Sequence, residues 1–217
     1  MISRTRIKIC CIASLEEARL AIDFGASAIG LVSRMPSGPG VIPEETIAQI
    51  AARVPPSIGT FLLTSETDTR RIVEQQRRCS VSTIQLCDTL SSGTHQDLRE
   101  ELPGVKIIQV IHVQDSRSVD KAVSAAETAN ALLLDSGNPT GTVKVLGGTG
   151  KVHNWDISKQ IVNAVTIPVF LAGGLNATNV YSAINQVRPF GVDVCSGVRT
   201  DGKLDEEKLR AFVEAVI

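Results

Sequence analysis

Short apolar runs alternate with amphipathic stretches along the whole chain, and this rhythm constrains the fold more than any other feature. The apolar runs are "RIKIC" (6–10), "SAIGLV" (27–32), "SIGTFLL" (57–63), "STIQL" (82–86), "VKIIQVI" (105–111), "ALLL" (131–134), "PVFLA" (168–172) and "GVDVC" (191–195). Each has the length of a strand buried on both faces. Helical patterns separate them at 14–25, 43–54, 67–78, 95–102, 116–128, 156–165, 176–187 and 204–216. Ser14 and Glu17 have the spacing of a capping box, Gly25 stands where a helix stops, and Pro43 stands where one begins. Eight βα units of about 27 residues predict a small (β/α)8 barrel of the TIM type. No linker or low-complexity segment breaks the pattern, so residues 1–217 read as a single α/β domain. An open doubly wound sheet is the weaker alternative, because no glycine-rich turn follows the first strand.

The net charge is −1, which argues against a nucleic-acid surface or a polybasic membrane patch. No apolar run reaches membrane-spanning length, and "MISRTRIKICC" is too polar for a signal peptide, so the expected location is cytoplasmic. Cysteines 10, 11, 79, 87 and 195 form an odd set without CxxC spacing, as free thiols in a reducing compartment do. Histidines 95, 112 and 153 are scattered, and no metal site is expected.

In such a barrel, chemistry belongs at the C-terminal ends of the strands. Three glycine-bearing loops follow the last three strands: "GGTGK" (147–151), "AGGLN" (172–176) and "CSGVRTDG" (195–202). Backbone N–H groups in loops of this kind cradle anions, and a phosphate is the expected occupant. "GGTGK" is not a P-loop, and Lys151 reads equally well as a solvent-facing residue. On strand one, alternation puts Ile7, Ile9 and Cys11 on one face and Lys8 and Cys10 on the other. The isoleucine face suits the outer helices. Cys10 then reaches the barrel mouth as the candidate nucleophile or base, and Cys11 reads as structural. By composition alone a single cysteine is usually just a small buried hydrophobe, and that is the leading reading of Cys10 before any resemblance is considered.

"KIC" at strand one, "LLLD" at strand six, "GGTGK", "LAGGLN" and "VDVCSGV" together resemble the phosphoribosylanthranilate isomerase family of tryptophan biosynthesis, in order and over nearly the whole chain. The resemblance implies an Amadori rearrangement of N-(5-phosphoribosyl)anthranilate, an aldose-to-ketose isomerisation without metal or organic cofactor. It implies Cys10 as general base and Asp135 as general acid. It implies a phosphate held by Gly148, Gly150, Gly173, Gly174, Ser196 and Gly197, and a sugar contact at Asp193. The expected partner is a small phosphosugar substrate, and the chain is expected to be a monomer or homodimer, with neither nucleic acid nor membrane.

The chain departs from the family pattern at four places. The loop after strand two, "SRMPSGPGVIP" (33–43), has no arginine beyond Arg34. "QLCD" stands for the family's "QLHG", Cys11 for a glycine, and Arg199 for a glutamate. A carboxylate leaving water needs charge-assisted partners, so Arg199 or Arg34 is the expected anchor of an anthranilate carboxylate. Two other readings remain: a paralogue acting on another phosphosugar adduct, or a non-catalytic phosphosugar-binding barrel.

Overall fold

The computed structural model describes residues 5–137, 146, 150 and 152–217. Eight strands form one closed barrel: β1 (Arg6–Ile9), β2 (Ala28–Val32), β3 (Gly59–Thr64), β4 (Thr83–Leu86), β5 (Lys106–His112), β6 (Ala131–Asp135), β7 (Val169–Leu171) and β8 (Gly191–Val194). Every neighbouring pair is parallel, and β1 pairs with β8 to close the sheet. The helices are α1 (Leu15–Asp23), α2 (Glu44–Ala51), α3 (Thr69–Cys79), α4 (His95–Glu101), α5 (Arg117–Ala126), α6 (Trp155–Ala164), α7 (Val180–Val187) and α8 (Glu206–Val216). A short 3₁₀ turn (Ser196–Val198) and a small hairpin of β9 (Arg199–Thr200) and β10 (Lys203–Leu204) lie between β8 and α8.

Strand alternation builds two cores. Ile7, Ile9, Leu31, Leu62, Leu132, Leu134, Leu171 and Val192 pack outward under the helices. Phe61, Leu63, Ile108, Val110, Leu133 and Phe170 fill the barrel. Each such side chain contributes about 1.5–3 kcal/mol by leaving water. The helix ends follow local chemistry. At α1, Gly25 takes φ 93° while the Ala26 N–H reaches back to the Ala21 carbonyl at 3.0 Å, as in a Schellman stop. The expected capping box at this helix is half made. Ser14 Oγ accepts from the Glu17 N–H at 3.2 Å, but the Glu17 carboxylate turns to the Ala13 N–H at 2.9 Å. The complete box belongs to Thr94 and Asp97 at α4.

The closing seam carries a charge inside the barrel. Lys8 is fully buried, and its Nζ donates to Asp193 Oδ1 at 2.9 Å. The two residues are register partners of β1 and β8. The ammonium also lies 5.3 Å from the Phe61 ring centroid. Burial alone would lower the lysine pKa; Asp193 and the neighbouring Cys10 outweigh it, and the net displacement is upward. On the lysine side, the stability linked to this raised pKa is full below the ordinary lysine value and is lost as pH rises through the folded one, in strong alkali. Gly30 on β2 makes room: a Cβ there would stand 2.9 Å from Cys10 Sγ and 3.1 Å from Lys8 Nζ.

Removing one partner leaves the other charge buried and unpaired. Asp193→Leu is expected to lower unfolding free energy by about 3–5 kcal/mol in denaturant titrations, and adding Lys8→Met should recover most of it. A double variant no more stable than Asp193→Leu would refute the pairing account.

Candidate active site

Where the strands end, one cavity gathers residues from most of the barrel. It is bordered by Cys10 and Cys11 after β1, Asp135 at the end of β6, Gly150, Gly173 and Gly174, and by Asp193, Cys195 and Ser196 around the end of β8. Val32, Met35, Leu63, Leu146, Ala172 and Leu175 supply apolar walls. Of the residues singled out from the sequence, Cys10, Asp135, Gly150, Gly173, Gly174, Asp193 and Ser196 thus meet at one place. Gly148 lies outside the described residues, as does Lys151. Gly197 does not border the cavity. Its lack of a side chain serves packing, since a Cβ would overlap the Leu175 carbonyl oxygen.

Asp135 is 9% exposed. Burial pushes its carboxyl pKa up, and the Ser136 N–H, which donates to Oδ1 at 2.7 Å, offsets only part of this. A carboxyl so placed keeps its proton further toward neutrality than one in water. Gly173 and Gly174 border the cavity with φ 81° and 65°, a left-handed backbone that costs glycine little. Asp193 turns one oxygen to Lys8 while bordering the cavity.

Cys11 departs from the expected alternation. The strand ends at Ile9, and Cys11 adopts φ 62°, the left-handed region that favours glycine. That turn swings its side chain into the cavity beside Cys10 instead of outward under the helices. There its sulfur lies 2.6 Å from Cys195 Sγ and 3.7 Å from the Pro39 carbonyl.

Arg199 is also corrected. Its guanidinium points away from the cavity and clamps the turn from behind: Nη1 lies 3.0 Å from Glu17 Oε1, Nη2 3.0 Å from Glu17 Oε2, and Nη2 3.3 Å from the Cys10 carbonyl. It also donates to the carbonyls of Cys11 and Gly202. Both terminal nitrogens thus face acceptors on the rear side, while the Nε N–H is buried without a partner, and the residue does not border the cavity. Burial alone would raise the Glu17 pKa, but Arg199 and the N–H groups of Leu204 and Ala13 bring it below the usual carboxylate value. Arg34 is exposed; its backbone carbonyl accepts from Ser65 Oγ at 2.8 Å, and its side chain does not border the cavity. Among the described residues, no lysine or arginine lines this cavity.

Sequence reasoning missed Gln85, Cys87 and Cys195 as lining residues. Alternation from Thr83 could have found the first two. The Cys87 thiol, wholly enclosed, is pushed well up by burial. No group of three or more His, Cys, Asp or Glu among the described residues could hold a metal, and none of their helices is long and apolar enough to cross a membrane.

The family described as N-(5'phosphoribosyl)anthranilate (PRA) isomerase matches residues 7–215. An N-(5'-phosphoribosyl)anthranilate isomerase of Methanocella arvoryzae is 33% identical over 213 residues, covering 98% of each chain. Among solved structures, the dimeric enzyme of Thermotoga maritima, studied as monomers, superposes with a TM-score of 0.80 at 25% identity over 98% of each chain. A phosphoribosyl anthranilate isomerase in complex with reduced 1-(o-carboxyphenylamino)-1-deoxyribulose 5-phosphate gives 0.78 at 26% identity, again over 98% of each.

The clamp and the turn make stability predictions. Cys11→Gly should leave the melting temperature unchanged or raise it, because a left-handed non-glycine residue costs roughly 1–2 kcal/mol. Cys11→Val should lower it, since a β-branched residue tolerates that backbone poorly. Arg199→Leu strands Glu17 and should cost roughly 2–4 kcal/mol, below a fully enclosed pair. The Glu17 contribution is present above the ordinary glutamate pKa and lost as pH falls through its lowered folded value, so the Arg199→Leu deficit should shrink in acid.

Proposed function

Because the chain belongs to the N-(5'-phosphoribosyl)anthranilate isomerase family, we propose that it isomerises N-(5'-phosphoribosyl)anthranilate to 1-(2-carboxyphenylamino)-1-deoxyribulose 5-phosphate, with Asp135 as general acid and Cys10 as general base. The observation that carries this reading is the meeting of Cys10 and Asp135, from β1 and β6, on one cavity flanked by Gly150, Gly173, Gly174 and Ser196. The protonated carboxyl of Asp135 gives its proton to the furanose ring oxygen, the C1–O bond breaks, and the ring opens to a Schiff base. The Cys10 thiolate then takes the proton from C2. The resulting enolamine tautomerises to the ketose. General acid and base steps of this kind each contribute about 10²–10⁴-fold. The upward displacement of Asp135 suits the acid role.

The phosphate is assigned to the backbone N–H groups at Gly150, Gly173, Gly174 and Ser196, which border the cavity; of the other expected contacts, Gly197 does not border it and Gly148 lies outside the described residues. Asp193, whose carboxylate already holds Lys8 at 2.9 Å, keeps acceptor capacity for a sugar hydroxyl. As in the rest of its family, the place of such a reaction is tryptophan biosynthesis. One observation favours a second reading. With Arg199 turned away, Arg34 exposed and no cation among the described lining residues, the cavity also suits a phosphosugar adduct without an aryl carboxylate.

Complementation of a tryptophan auxotroph lacking the isomerase separates the two. Growth supports the first reading, and failure to grow, with soluble protein present and ribulose 5-phosphate bound, supports the second. Cys10→Ala and Asp135→Asn should each lower kcat by about 10²–10⁴-fold. Asp135→Asn makes a further prediction. A carboxyl with a raised folded pKa contributes stability that is full below its ordinary value and lost as pH rises through the folded one. The amide has no such loss. The variant should therefore gain on the parent as pH rises toward neutrality in denaturant titrations, while remaining slow. Equal pH dependence of stability in the two would remove Asp135 as a buried acid.

A further inference from the structure

Cys11 and Cys195 are brought together from opposite ends of the chain, 184 positions apart, at the seam where β1 meets β8. We propose that these two thiols form a reversible disulfide at the mouth of the cavity, and that forming it switches off ligand binding and turnover. This goes beyond the isomerase reading; only its turnover arm rests on that reading.

Four observations carry the proposal. The sulfurs are 2.6 Å apart, a short step from the bonded length of about 2.05 Å. Both side chains border the cavity, and Cys195 is only partly buried, so a small oxidant entering with solvent reaches them. The left-handed turn at Cys11, held by Arg199 through the Cys10 and Cys11 carbonyls, aims one sulfur at the other. Finally, the neighbouring loops lie directly against this pair. Cys11 Sγ also contacts the Pro39 carbonyl, a Cβ at Gly40 would stand 2.5 Å from Cys11 Cβ, and Ser196 follows Cys195 directly. A bond would therefore pin the first, second and eighth loops at once, including the backbone assigned to the phosphate.

The chemistry balances with a peroxide as oxidant. Contact with Cys11, opposed by burial and helped by the Arg199 charge, brings the Cys195 thiol below its ordinary value, whereas contacts with Cys10 and Cys195, together with burial, raise Cys11. Cys195 is therefore the sulfur that attacks first. Its thiolate takes one peroxide oxygen, the S–O bond forms as O–O breaks, and the departing hydroxide is protonated to water. Cys11 sulfur then attacks the sulfenic acid; S–S forms, S–O breaks, and the leaving hydroxide takes the Cys11 proton as a second water. Two thiols and one hydrogen peroxide give one disulfide and two waters. A dithiol reverses it by exchange.

The test uses the full chain treated with stoichiometric hydrogen peroxide. Two thiols should disappear, and non-reducing tryptic mapping should join Ile9–Arg19 to the peptide 160–199 that contains Cys195. Because Ile9–Arg19 holds both Cys10 and Cys11, the cross-link should persist in Cys10→Ala and vanish in Cys11→Gly and in Cys195→Ser. Ribulose 5-phosphate affinity and isomerase turnover should each fall at least tenfold and return with dithiothreitol. A cross-link that persists in Cys11→Gly, a Cys10–Cys11 bond within Ile9–Arg19, oxidation confined to Cys10, or a Cys11–Cys195 bond that leaves ribulose 5-phosphate affinity unchanged would each overturn the proposal. If the reduced protein has no isomerase activity, the function reading fails, while peptide mapping and ribulose 5-phosphate affinity still decide this one.

Discussion

The ion pair between Lys8 and Asp193 is the constraint on which the site depends. A fully buried ammonium is tolerated only with a partner close at hand, and the partner is the residue opposite it across the closing seam. A one-residue slip of β1 against β8 would turn Lys8 out among the helices and an isoleucine in toward Asp193. The pair therefore penalises the wrong register where the first and last strands of the chain must find one another. Well-packed apolar residues of similar size would fill that space at no less stability. The charge is intelligible as part of the site: Lys8 lies beside Cys10, and its partner Asp193 borders the cavity.

A second ion pair acts behind the same seam. Arg199 and Glu17 tie the hairpin after β8 to the first turn of α1, and the arginine also gathers the Cys10 and Cys11 carbonyls. Glu17 receives the Ala13 and Leu204 N–H groups at 2.9 Å each. The turn that ends β1 is thus fixed from the rear by side chains that do not border the cavity. This is why the cavity face of the turn can present two thiols in a defined arrangement, although Cys11 occupies a backbone conformation that disfavours it.

The barrel was legible because each strand carries its own apolar run, and alternation on β1 correctly turned Lys8 and Cys10 inward. The reading of Cys11 failed for a physical reason: alternation holds only while the chain remains in the sheet, and here it leaves after Ile9. The glycine that the family pattern has at this place was the available signal, because glycine favours the φ of 62° found there. Arg199 was misread because the gain of a positive charge near the active face says nothing about direction. Its partner, Glu17, lies 182 positions away and was already assigned to a local cap. Half of that cap is formed, and the carboxylate serves the longer-range contact.

The cavity imposes opposite demands on its acid and its base. Exclusion of water helps Asp135 keep a proton, and the same exclusion opposes a thiolate, as Cys87 shows on the opposite wall. One apolar enclosure cannot serve both groups unless charge is distributed unevenly across it. The described geometry places the one ammonium enclosed in the barrel among the described residues on β1, next to Cys10, while at Asp135, on β6, burial outweighs the Ser136 N–H and the more distant charges of His112 and Lys8. The asymmetry comes from where the sheet closes. The seam between β1 and β8 therefore sets three things together: strand register, the charge beside the proposed base, and the approach of Cys11 to Cys195. A substitution that moves the seam should disturb all three, whereas one on the β4–β5 side should leave the Cys10–Asp193 region intact.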